Sequence, residues 1–154
     1  MISDGEFCYI SSMDGIVSVW DMVQRVCIKT LCMDGVMVMA FTIHAGNVYF
    51  SLPNMMKVYD KTRGDLSNEV PTQLTLLQVT TCRDLIWGID KNNPLIIRAF
   101  TLQMKHSASQ DFVCKSSAGG FNNLISYQDK FLILSTRETE LIVFDVVHRT
   151  GEAF

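Results

Sequence analysis

The feature that most constrains this chain is a recurrence. An apolar, strand-like run that ends in an aromatic residue appears four times, as Trp20-Asp21, Tyr59-Asp60, Phe100-Thr101 and Phe144-Asp145. Successive copies are 39, 41 and 44 residues apart. One residue before each aromatic is apolar (Val19, Val58, Ala99, Val143), and so is the third before it (Val17, Met56, Ile97, Leu141). Between those two lies a position of mixed polarity (Ser18, Lys57, Arg98, Ile142). Alternation of this kind places one set of side chains on a single face of a strand. A repeated unit of such length cannot bury its apolar face alone, so neighbouring units must stack.

A turn precedes each run: Asp14-Gly15, Pro53-Asn54, Asn92-Asn93-Pro94 and Glu138-Thr139. Asp-Gly between apolar runs predicts a two-residue type I′ turn, which needs φ > 0 at both central positions. A second apolar run stands before each turn, at 7–10, 48–50, 85–87 and 131–134, and a small residue follows it (Ser11, Ser51, Gly88, Ser135). Each unit is thus built from hairpins, and the period is close to the roughly 40–45 residues of a four-stranded propeller blade.

These residues resemble the WD40-repeat β-propeller family. Ser11 through Asp21 fits the family's ending, a small residue followed by Asp-Gly and then Trp-Asp. The other copies keep the aromatic, and two of the three keep the aspartate. The family's Gly-His pair is missing, since none of His44, His106 and His148 follows a glycine. The resemblance implies an all-β fold, a partial WD40-like β-propeller of four-stranded antiparallel blades. Its repeat positions are Asp14, Gly15, Trp20, Asp21, Tyr59, Asp60, Phe100, Phe144 and Asp145. It also implies a non-catalytic scaffold for protein partners, of the kind found within larger cytosolic signalling or trafficking proteins.

The chain divides into a blade fragment at 1–34 and blades at 35–72, 73–118 and 119–154. The fragment is expected to lack its innermost strand, because the run at 7–10 already serves as the second. The fourth blade's outermost strand is expected to start only where the sequence stops, after a turn at 148–151. A closed ring needs about four to eight blades and a WD40 ring usually more than these four, so remaining blades are expected in a parent chain. The alternatives are a truncated product without independent function and a propeller-type enzyme.

Composition narrows the rest. Hydrophobic residues make up 48% of the 154 and charged residues 19%, which marks a globular chain able to bury a core. The formal charge of −3 argues against a general nucleic-acid or anionic-membrane surface. No apolar window reaches the length of a membrane-spanning helix. Residues 1–6 are acidic and do not read as a secretory signal. Cys8, Cys27, Cys32, Cys82 and Cys114 are odd in number, form no Cys-x-x-Cys pair and mostly sit in apolar runs. That suits reduced thiols and a cytoplasmic location, with no metal and no cofactor.

Candidate site residues are weighed against plainer roles. Asp21, Asp60 and Asp145 recur at one repeat position, which favours carboxylates that bond turn amides over a catalytic cluster. Trp20 and Trp87 read as packed between blades rather than as ligand-stacking surfaces. Met33, Met37, Met39, Met55 and Met56 read as core fillers, with an adaptable surface as the alternative. Ser116, Ser117 and His106 have no third partner for nucleophilic chemistry, and the inner strands offer no ionisable residue beyond His44. Arg98 interrupts an apolar strand. Arg63, Arg83 and Arg137 fall in loops and are the candidates for partner binding, because a guanidinium matches carboxylate or phosphate in a bidentate way. Acidic or phosphorylated peptides are the partners this predicts.

Overall fold

The computed structural model describes residues 1–113, 119–137 and 139–153. Cys114, Ser116 and Ser117 in the predicted outer strand and linker of the third unit lie outside the described residues, as do Glu138 and Phe154. Among the described residues, sixteen strands form four antiparallel four-stranded sheets, each a meander of consecutive strands. The first holds β1 (Ile2–Asp4), β2 (Phe7–Ser11), β3 (Ile16–Asp21) and β4 (Val26–Cys32). The second holds β5 (Ala40–His44), β6 (Asn47–Leu52), β7 (Met55–Asp60) and β8 (Leu66–Pro71). The third holds β9 (Leu76–Cys82), β10 (Leu85–Asp90), β11 (Ile96–Thr101) and β12 (Phe112–Val113). The fourth holds β13 (Phe121–Tyr127), β14 (Phe131–Thr136), β15 (Leu141–Asp145) and β16 (Thr150–Ala153). The first strand of each sheet lies against the first strand of the next, β1 on β5, β5 on β9 and β9 on β13. The sheets therefore radiate from a common inner side, as the blades of a β-propeller do.

Two expectations about the outer blades are corrected. The first blade has its innermost strand, because β1 pairs with β2 from Ile2↔Tyr9 to Asp4↔Phe7. Gly5 at φ 60 makes the tight turn between them. Only Ile2 is apolar in this strand, so the hairpin has almost no hydrophobic signature. The fourth blade likewise has its outermost strand, with Asp145↔Thr150 and Ile142↔Ala153 paired. The turn predicted across 148–151 closes sooner, and Thr150 and Gly151 already belong to β16. Elsewhere, β5 begins at Ala40, and residues 36–39 bridge from the first blade to the second.

The Asp14-Gly15 turn also differs from its prediction. Gly15 has φ 78, but Asp14 does not have positive φ, so the turn is not type I′. Instead Ser12 N donates to Ile16 O at 2.8 Å and the Asp14 carboxylate accepts from Ile16 N at 3.2 Å, which gives a longer, glycine-closed loop. The Ser12 hydroxyl, bonded to both Asp14 and Ile16 O, favours this form. A true pair of positive-φ residues occurs at Asp34-Gly35, where Val36 N donates to Met33 O at 2.9 Å. Others occur at Ala45-Gly46, Arg83-Asp84 and Gln128-Asp129, the inner hairpins of the second, third and fourth blades.

Three apolar layers fill the spaces between adjacent blades. Each blade has a forward face and a backward face. Tyr9, Val17 and Val19 of the first point forward onto Val48, Phe50 and Tyr59 of the second. Tyr49, Met56 and Val58 then point forward onto Ile86 and Phe100. Trp87, Ile97 and Ala99 point forward onto Leu132, Leu134 and Phe144. The repeat aromatics Tyr59, Phe100 and Phe144 thus all point backward and are buried. Trp20 holds the same position in the first blade, where the described chain places no blade behind it, and it is 37% exposed. That corrects the expectation of burial for Trp20. Trp87 is buried, with its indole N–H donating to Cys82 O at 3.0 Å. Met33 and Met56 are core residues, whereas Met37 is exposed.

Candidate interaction surface

Because strands alternate in direction, a blade's first and third turns emerge at one end and its second turn and exit loop at the other. Contacts between blades show that like ends are aligned. The His44 ring nitrogen Nε2 lies 3.4 Å from Asp84 Oδ1, and Arg83 N donates to Asp129 Oδ1 at 2.6 Å, which links the inner turns of the second, third and fourth blades. At the opposite end, Asn54 N donates to Thr75 Oγ1 at 3.2 Å and Phe121 N to Pro94 O at 2.8 Å.

The first of these ends carries a device that repeats. Asp21 Oδ1 accepts from Val23 N and Gln24 N, both at 2.8 Å. Asp60 Oδ1 accepts from Thr62 N at 2.9 Å and Arg63 N at 2.7 Å. Asp145 Oδ1 accepts from Val147 N at 2.8 Å and His148 N at 3.0 Å. Each loop closes with an amide that donates back to the aspartate's carbonyl, from Arg25, Gly64 and Arg149, and each of those three has positive φ. In the third blade Thr101 takes the place of the aspartate, and its hydroxyl accepts from Lys105 N at 3.3 Å. The reading of these carboxylates as turn-stabilising groups therefore agrees with the geometry. Their electrostatics follow. The hydrogen bond from the His148 ring, then that from its amide, lowers the Asp145 carboxyl to about 2. The Arg63 amide holds Asp60 below the usual carboxylate value.

The three candidate arginines do not share a face. Arg63 lies in the β7–β8 turn and Arg83 in the β9–β10 turn, both at the Asp-capped end. Arg137 follows β14 at the opposite end, and its amide donates to Gly120 O at 3.1 Å. The Arg63 guanidinium is exposed and sits 3.4 Å from Asp60 Oδ2. Arg83 is exposed as well. Next to the Arg63 turn, between the first and second blades, a pocket of about 310 Å³ is lined by Phe7, Tyr9, Val19, Ile28, Lys29 and Lys61 among others. Lys61 is ion-paired with Asp4, and the Lys29 ammonium donates to the carbonyls of Thr62 and Arg63.

Arg98 has a structural role. Its Nε and Nη2 donate to Asp90 Oδ2 at 2.9 and 2.8 Å, and Nη1 donates to Asp111 Oδ2 at 2.9 Å. Asp111 also accepts from Ala99 N, and the His106 ring nitrogen lies 3.0 Å from both of its oxygens. This network fastens the loop after β11 to the blade. Asp90 and Asp111 carry no repeat signature, and only the charge at Arg98 within an apolar run signals them. A similar insertion occurs in the second blade, where buried Lys57 reaches Asp34 Oδ2 at 2.8 Å and Glu69 Oε2 at 3.2 Å.

The inner side of the radiating sheets borders a half-open pocket of about 380 Å³, whose lining includes Ile2, Ser11, Phe41, Thr42, Gln78, Thr80 and Leu124. These are neutral side chains. Burial pushes the Cys82 thiol up to about 11, away from the reactive thiolate form. Cys8, Cys27, Cys32 and Cys82 are free thiols, and no cluster of three metal-ligating side chains occurs among the described residues. No helix among them is long and apolar enough to cross a membrane.

Radiating four-stranded meanders with a shared inner side define an all-β protein built from β-propeller blades. Among solved structures, the chain is similar to the β-propeller domain of Myceliophteria thermophila Cps50 (Swd1), with a TM-score of 0.71 and 12% identity. That match covers 96% of this chain and 52% of the other. It is also similar to the computationally designed Ika8 protein, with a TM-score of 0.70 and 13% identity over 100% of this chain and 47% of that one. The chain thus spans about half the length of these structures. No family model matches, and no curated protein matches.

Proposed function

We propose that this chain is a WD40-like, non-catalytic scaffold for protein partners, part of a cytoplasmic assembly, and that it engages acidic or phosphorylated peptides. The observation that carries this reading is the Asp-capped end of the blades, where the outer turn of the second blade carries Arg63 and the inner turn of the third carries Arg83. Loops held by a stiff β framework are the usual place for recognition, and arginine's planar fork suits carboxylates and phosphates. The neutral lining of the inner pocket supports a binding role over acid–base chemistry there. The free thiols support a reducing compartment.

The test is binding of fluorescent acidic and phosphorylated peptides, measured by anisotropy at low and high salt. Arg63→Glu with Arg83→Glu should weaken binding at least about tenfold, while Arg137→Glu, at the other end, leaves it unchanged. Equal effects from Arg137→Glu, or no binding by the parent, would overturn the assignment of this face.

A further inference from the structure

The loop after a blade's third strand fills the gap toward the preceding blade in two cases and leaves it open in one. Between the second and third blades, Leu102 and Met104 of this loop pack in the same layer as Tyr49 and Val58, and Met104 is buried. Between the third and fourth, Val146 of the matching loop packs in the layer with Trp87 and Phe144. Leu102 and Val146 each follow the capping residue directly, after Thr101 and Asp145. In the second blade the residue after Asp60 is Lys61, and Thr62, Arg63 and Gly64 follow it. None of these has an apolar side chain long enough to fill the gap toward the first blade. A pocket of about 310 Å³ stays open there, with buried Tyr9 and Val19 at its floor and Phe7 and Ile28 also lining it.

A β-bulge shapes the wall on the first blade. Val19 pairs with Lys29 and Trp20 with Cys27, so Ile28 is the extra residue of β4, and Ile28 and Lys29 both line the pocket. The second blade has Ser67 and Asn68 at the matching positions. The Lys29 side chain crosses the gap and lies over Gly64, where a Cβ would collide with it. Its ammonium donates to the carbonyls of Thr62 and Arg63 and meets no carboxylate among the described residues. Lys61, the other cation of the lining, is ion-paired with Asp4. An apolar floor therefore adjoins one ammonium whose charge is not neutralised.

Resting on the peptide-binding role proposed above, we propose that this pocket receives one apolar side chain of leucine or methionine size from an acidic partner peptide, with a neighbouring carboxylate of the peptide on the Lys29 ammonium. The apolar part of the occupant follows from the other two gaps, where the protein's own Leu102, Met104 and Val146 pack in the corresponding layers. The acidic part follows from Lys29, because a cation beside an apolar surface is stabilised by a hydrogen-bonded anion.

The experiment measures the anisotropy of two fluorescein-labelled peptides of equal charge, Glu-Glu-Leu-Glu-Glu and Glu-Glu-Ser-Glu-Glu, with the full chain. The leucine peptide should bind at least about tenfold more tightly, as expected for burying its side chain. Lys61→Leu, which introduces the residue type found after Thr101, should fill the pocket and erase that preference without lowering the melting temperature. Ile28→Ser, at an exposed position, should reduce the preference while the serine peptide binds as before. Equal affinity of the two peptides for the parent would overturn this inference alone and leave the Arg63 and Arg83 reading standing. Failure of both peptides to bind would overturn both. A leucine preference that survives both variants would place the apolar side chain elsewhere and overturn the pocket assignment.

Discussion

Trp20 and Phe144 hold the same position in the first and fourth blades, and their surroundings are opposite. Phe144 is 2% exposed and its ring centroid lies 4.3 Å from that of Phe112 and 6.4 Å from that of Trp87. Trp20 faces outward from the first sheet. Position in the repeat sets which way the ring points, and the neighbouring blade decides what that ring contributes.

Phe144→Ala should therefore destabilise by about 3–5 kcal/mol, as expected for emptying a buried aromatic site. Trp20→Ala should cost less than about 1 kcal/mol. Urea unfolding followed through Trp87 fluorescence checks both. Equal costs would mean that Trp20 is buried.

Acid should weaken the fold through its turn carboxylates. The Asp145 carboxyl is lowered from its ordinary 3.8 to about 2 by the His148 ring and amide, so the fold favours its ionised form. That stability is present above about pH 4 and is lost as pH falls toward 2. Asp14 and Asp60 are shifted in the same direction, Asp14 chiefly by the Ser12 hydroxyl. Asp145→Asn should flatten the fall in melting temperature between pH 4 and 2, and a profile parallel to the parent's would refute this assignment.

Asp84→Gly should stabilise. Arg83 and Asp84 both occupy the left-handed region, at φ 54 and 55, where a side chain costs about 1–2 kcal/mol and glycine does not. The exposed Asp84 carboxylate gives up only a long contact to His44. A rise of about 2–4 °C in melting temperature is expected from a gain near 1 kcal/mol. A lower melting temperature would show that the His44 contact outweighs the strain.

Lys57 tests what its buried stem does. Asp34, one of its partners, is largely exposed, so removing the charge leaves that carboxylate hydrated. Lys57→Met should keep stability within about 1 kcal/mol of the parent, whereas Lys57→Ala, which also removes the packed methylenes, should cost about 2 kcal/mol or more. A loss for Lys57→Met as large as for Lys57→Ala would assign the stability to the ion pairs instead.

Much of the fold is legible in local chemistry. Alternation in Val17, Val19 and their counterparts marks the strands, and the recurrence of an aromatic followed by aspartate marks the blades. The aspartates at 21, 60 and 145 are readable because each acts on amides two and three residues away, so their role travels with the local sequence. Strands β1 and β16 are hidden for the opposite reason. They have few apolar residues and pair through backbone hydrogen bonds, which any side chain permits once a neighbouring strand offers an edge.

What the sequence by itself determined is the repeating unit, its hairpins, the direction of each repeat aromatic and the capped turns, all set by contacts within about forty residues. What only the tertiary structure decided is which residues meet across blades. It separated Arg137 from Arg63 and Arg83, because strand direction assigns each turn to one end of the blade. It paired Arg98 with Asp90 and Asp111, and Lys57 with Asp34 and Glu69, because a charge inside an apolar layer must find partners that the folded chain brings to it. It left Trp20 uncovered while burying Tyr59, Phe100 and Phe144, because burial depends on the sheet stacked behind a residue and not on the residue itself.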